Sequence, residues 1–142
     1  MEKTMISLFL FFILPSFSFA QTSKNLTTAS PKDTLVVLWT SGDVEVAEKV
    51  ALMYTHAAAK NKWFDKVILI VWGPSANLLA NNEKLQEKIK SMIADGIHVQ
   101  ACIVCANSYG VAGKLKELDI EVLGMGKPLT AYLKKGYSQL TF

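Results

Sequence analysis

The sequence offers little to hold a metal: among its 142 residues are two cysteines and two histidines. Zinc takes about four ligands. His56 falls in the middle of a helical stretch, where a surface or boundary role is expected, and His98 stands beside a strand start. No metal site is therefore expected. Covalent haem attachment needs a histidine straight after CxxC, and Ala106 follows Cys105 instead. The glycines at 42, 73 and 126 form neither a dinucleotide fingerprint nor a phosphate-binding P-loop. No cofactor is expected. Two scattered histidines also leave no serine–histidine–aspartate order to argue from.

Charge of one sign is scarce as well. The net charge is +3, and most lysines sit beside glutamates in helical stretches, the pattern of a solvated face. Neither nucleic acid nor an anionic membrane is expected as a partner. The chain shows no internal repeat and no low-complexity tract. Beyond the N-terminus, no apolar run is long enough to stop transfer across a bilayer, which takes roughly 20 apolar residues.

What is present begins with an export signal. Lys3 precedes the apolar block Met5 to Leu14, Pro15 ends it, and Ser18-Phe19-Ala20 is a small-x-small cleavage site. Residues 1–20 are predicted to be a cleavable signal peptide, so the protein is expected to be periplasmic or secreted, with no stable membrane insertion after cleavage. No cysteine adjoins the site to take a lipid. Residues 21–33, rich in Ser, Thr, Asn and Lys, read as a flexible tether. Asn25-Leu26-Thr27 is a glycosylation sequon only in a eukaryotic host.

Residues 34–142 are expected to form one domain with a workable core, since about 120 residues remain after cleavage. Leu35 to Trp39 and Val67 to Trp72 are continuous apolar runs without alternation, which suits strands buried on both faces. Further strands are predicted near Val99–Ile103 and at Ile120–Leu123, with a last short one within Tyr137–Phe142. Helical spacing separates them: Ala47, Val50, Ala51, Tyr54 and Ala58, then Leu85, Ile89 and Ile93. A helix is read from Ala106 to Leu118, interrupted by Gly110 and Gly113, and another from Leu129 to Lys135. The fold class is α/β: a three-layer sandwich around a mostly parallel sheet of four to five strands, with helices on both faces.

Ligands of such sheets bind beyond the carboxyl ends of the strands. Those ends carry Ser41 and Gly42, then Trp72, Gly73 and Ser75, then Cys102 and Cys105, then Gly126. Asn107 and Tyr109 follow the cysteines. All are candidate ligand contacts on one rim. Trp39 and Trp72 end the first two strands, and core packing is expected of at least one. Thiols placed before a helix would face its N–H groups, which favour thiolate and hence nucleophilic attack. CxxC is also compatible with a structural disulfide or with inert buried thiols. A disulfide closing so short a loop would contribute little stability.

These loops, above all Val99-Gln100-Ala101-Cys102-Ile103-Val104-Cys105-Ala106-Asn107-Ser108-Tyr109-Gly110, resemble the DsrE/DsrF-like family, with its YchN- and TusD-like branches. The resemblance spans Thr34 to Phe142. It implies an α/β fold, assembly as a homotrimer or homohexamer, and relay of persulfide sulfur between donor and acceptor proteins. By spacing to Gly110, Cys102 matches the sulfur-carrying cysteine and Cys105 the second cysteine of the YchN-like branch. Those roles make Cys102 the attacking thiol and Cys105 the resolving one. The alternatives are a non-catalytic module that binds a small ligand or protein, with its cysteines joined, and a purely structural oligomer subunit.

Overall fold

A computed structural model describes residues 33–142. The expected signal peptide, and the tether up to residue 32, lie outside the described residues. Five strands form one sheet: β1 (Thr34–Trp39), β2 (Lys66–Val71), β3 (His98–Cys102), β4 (Glu121–Leu123) and β5 (Ser138–Thr141). Their order is β4-β3-β2-β1-β5, and every neighbouring pair is parallel. The α/β sandwich read from the sequence is thus observed, with five strands and an entirely parallel sheet. Among the described residues no helix is long and apolar enough to cross a membrane.

The strand order decides where the helices go. From β1 to β4 the chain steps one way across the sheet. Right-handed crossovers therefore place their helices on one face. These are α1 (Val44–Val46), which runs through a π turn at Ala47–Ala51 into α2 (Leu52–Lys60), then α3 (Pro74–Ala80), α4 (Glu83–Ala94), α5 (Ile103–Ser108) and α6 (Ala112–Lys116). The return from β4 to β5 crosses the sheet in the opposite sense and puts α7 (Gly126–Lys134) on the other face. The core divides accordingly. Leu35, Val37, Leu69 and Val71 pack with Leu52, Leu79, Leu85 and Ile89 of the helices. Val36, Ile68, Ile70 and Cys102 pack with Met125, against which Leu129 and Tyr132 of α7 rest. Each fully buried aliphatic side chain contributes about 1.5–3 kcal/mol.

Local signals start the helices. The Asp43 carboxylate accepts the Val46 N–H at 2.9 Å and Asn82 accepts that of Leu85 at 3.1 Å, both caps of the usual kind. The helix expected from Ala106 begins earlier. Cys102 is the cap, Ile103 is already helical, and the chain turns at Tyr109–Gly110 before α6 resumes. The β-branched Ile103 and Val104 look like strand, but the strand stops when its ladder does. β3 last pairs at Cys102 with Leu123.

The histidine readings divide. His56 is not a surface residue: it lies buried between α2 and α4. Its Nε2 meets Asp95 at 2.5 Å, and Lys88 Nζ donates to its Nδ1 at 2.6 Å. That bond to His56 holds the Asp95 carboxyl below its usual range. His98, exposed at the start of β3, pairs with Glu121 at 2.8 Å. Glu121 also accepts from Gln100 at 2.6 Å, and Tyr132 donates to Gln100 at 3.0 Å. This chain of bonds ties α7 to the sheet two residues before Cys102. Gln100 first and His98 second lower the Glu121 pKa.

Candidate functional site

The two thiols stand where the topology rule places chemistry. Cys102 ends β3 and caps α5, and Cys105 lies in the first turn of that helix. Both are free thiols. Cys102 points into the core face beneath α7 and is only 4% exposed. Cys105 is half-buried and packs, as Trp72 does, against the cluster that holds Cys102, and Val104, between the two cysteines, is 70% exposed. The accessible sulfur is therefore the second of the pair.

The electrostatics run against the expected activation by the helix start. Burial pushes the Cys105 thiol above its ordinary range, and its hydrogen bond to Cys102 pushes the same way. The N–H of Gly73 and its own N–H pull it down without prevailing. Gly73 holds a φ of +71°, a conformation that costs other residues strain.

The other rim residues separate into three groups. The Gly73 N–H reaches the Cys105 thiol, and Trp72 packs against the cluster that includes Cys102. Gly42 and Tyr109 line an open cleft of about 410 Å³ with Pro74, Asn77, Asn81 and Asn82. Pro74 follows Gly73 directly, and Tyr109 N–H donates to the Cys105 carbonyl at 3.2 Å. The cleft thus begins one helical turn from the thiol. The remaining candidates make other contacts or stand apart from the thiols. Ser75 is fully buried, and its hydroxyl donates to the Trp39 carbonyl at 2.6 Å while accepting Trp72 N–H at 3.0 Å. It joins the ends of β1 and β2. The Ser41 hydroxyl accepts Asp43 N–H at 3.1 Å. Gly126 lines a separate shallow hollow with Lys127, Thr130 and Lys134; its neighbour Met125 packs against Cys102 instead. Asn107 is exposed on α5. Trp39 is wholly buried, as core packing requires. Among the described residues no group of three or more His, Cys, Asp or Glu is placed to hold a metal.

The DsrE/DsrF-like family model matches residues 33–142. The chain belongs to the DsrE/DsrF-like family. That family is generally linked to sulfur relay, and its members commonly act in complexes. A solved structure of a conserved protein of unknown function from Bacteroides thetaiotaomicron is similar to it, at 35% identity and a TM-score of 0.76. The match covers 83% of this chain and 100% of that one. Among curated proteins none matches. Asn77, Asn81 and Asn82 escaped the sequence reading. The only available signal was their spacing along α3 and its junction with α4.

Proposed function

We propose that this DsrE-like protein is an exported carrier of sulfane sulfur, acting through the Cys102–Cys105 pair. The observation that supports this reading is the juxtaposition of the two free thiols at the strand ends, one buried and one accessible. In the transfer, the Cys105 thiolate attacks the outer sulfur of a donor persulfide. A sulfur–sulfur bond forms at Cys105, the donor's own sulfur–sulfur bond breaks, and the donor leaves as thiolate. An acceptor thiolate then takes the outer sulfur by the same exchange and restores Cys105. Alternatively, the Cys102 thiolate attacks the Cys105 sulfur, expels hydrosulfide and leaves a disulfide.

This order exchanges the roles that the resemblance implies. Access supports the exchange: a bulky donor reaches Cys105 and not a sulfur that is 4% exposed. A raised pKa costs about tenfold in thiolate per unit. Part of that is recovered because more basic thiolates are better nucleophiles. Burial of Cys102 against a rigid donor has no such compensation.

The test is mass-resolved loading of the reduced protein with inorganic polysulfide. One added sulfur, removable by a reductant, is expected; an unchanged mass after prolonged exposure rejects the carrier reading.

Export rests on the N-terminal pattern. Homo-oligomer formation is supported by the exposed apolar side chains Val50, Met53, Trp63 and Leu140. The protein recovered from outside the cytoplasm should begin at Gln21 and scatter light as an oligomer. An intact Met1 or a monomer at micromolar concentration would count against the respective claim.

A further inference from the structure

Three sulfurs share the end of the sheet where the thiols stand. Cys102 lies opposite Leu123 in the β3–β4 ladder, and Met125 follows two residues later, at the cap of α7. The Met125 side chain is wholly buried and shares one apolar cluster with Cys102, Val36, Ile68 and Ile70. Cys105 packs against the same cluster and is hydrogen-bonded to Cys102. The sulfur transfer uses both thiols and leaves the thioether without a role.

These ligands are all soft, and that selects the ion. Zinc takes about four ligands, and among the described residues no three of His, Cys, Asp and Glu converge. Calcium and magnesium take oxygen ligands, whereas the side chains around these sulfurs are apolar. Thiolate and thioether ligands together favour Cu(I). The thioether is neutral and polarizable, so its burial carries no charge out of water. We infer that Cys102, Cys105 and Met125 form a three-sulfur site for Cu(I). This stands apart from the carrier reading, since it needs the free thiols and no persulfide. Each thiol gives up its proton as it binds, so two protons leave per ion and the complex keeps a single negative charge. The N–H groups of Gly73 and of Cys105 itself donate to the Cys105 sulfur and offset part of that charge. Cys105, the accessible thiol, receives the ion, and the buried Cys102 and Met125 hold it away from water.

The experiment titrates Cu(I), under ascorbate and without oxygen, into the reduced mature chain in competition with the chromophoric chelator bicinchoninate. One equivalent per chain should be withheld from the chelator and should raise the melting temperature. X-ray absorption should show copper bound by sulfur alone, with one longer copper–sulfur bond beside two short ones. Cys102→Ser and Cys105→Ser should each surrender the ion to the chelator. Met125→Leu nearly preserves the buried volume, so it should melt close to the metal-free wild type. It should bind Cu(I) at least about tenfold more weakly, the loss that even a supporting group outside the ligand set costs a metal site, and should lack the longer bond. Copper left entirely with the chelator by the wild type overturns the site. An affinity and a spectrum that Met125→Leu leaves unchanged overturn it too. Polysulfide loading of the metal-free chain is read separately. A chain that holds Cu(I) but takes up no sulfur keeps this site and rejects the carrier reading; one that loads sulfur but yields Cu(I) to the chelator does the reverse.

Discussion

Cys105→Ser should abolish sulfur loading, while Cys102→Ser should load at least as fast as the wild type and hold its sulfur longer. The hydroxyl cannot form a persulfide, so loss in the first variant is complete if Cys105 makes first contact. In the second, no internal thiolate remains to expel hydrosulfide, and the persulfide waits for an external acceptor. A second measurement follows from the charge balance. The hydrogen bond to Cys102, and the charge it carries when ionised, both raise the Cys105 pKa. Removing that partner as Cys102→Ala should move the midpoint of Cys105 alkylation to lower pH. Burial, the largest cause, remains, so the midpoint should stay above that of a free thiol. Loss of loading in Cys102→Ser with retention in Cys105→Ser would restore the roles implied by the family resemblance.

Gly73→Ala should both weaken the fold and slow the thiol. Its φ of +71° and ψ of −136° lie in a region that only glycine occupies without strain. Nothing crowds an added Cβ, so the cost is conformational, about 1–3 kcal/mol. A backbone that relaxes to a negative φ turns its N–H away from Cys105, removing one of the groups that lower that pKa. The expected result is a lower melting temperature together with a Cys105 alkylation midpoint moved to higher pH. Gly110→Ala is the control, with a φ of +68° but no hydrogen bond to the thiol. It should share the destabilisation and leave the midpoint in place. A midpoint that moves equally in both variants would show that the Gly73 N–H does not act on the sulfur.

The legible parts of this fold were those where burial and local preference agree. β1 and β2 lie between two packed layers, so Leu35 to Trp39 and Val67 to Val71 are apolar at every position and announce themselves. The end of β3 was harder to see. Ile103 and Val104 favour strand by type, yet the ladder ends at Cys102 and the helix turns Val104 outward. The site followed the same division. Its location came from topology, since the carboxyl ends of parallel strands meet on one edge. Which cysteine is accessible depends on a single residue of register between strand and helix, and no pattern of types reports that. Ser75 resembled a ligand contact because a small hydroxyl at a strand end is equally suited to binding or to bridging backbone. Only the positions of Trp39 and Trp72 decide between them.

The position of β5 bears on the order in which this chain folds. β5 does not lie beside β4, its neighbour in sequence, but beside β1, with Leu35 opposite Ser138 and Leu38 opposite Thr141. Phe142 closes the seam: its carbonyl accepts the N–H groups of Thr40 and Ser41, and its N–H donates to Leu38. The first strand made is thus an open edge until the last one arrives, and the two meet only across nearly the whole domain. Contacts of such separation are slow to form, because loop closure precedes any gain from pairing. A chain emerging from a ribosome or a translocation channel would hold β1 half-paired throughout synthesis, so the sheet is sealed only after residues 138–142 are free. Folding of this domain is in effect timed by the arrival of β5, and removal of that strand would leave β1 as a bare hydrophobic edge, the kind that templates aggregation.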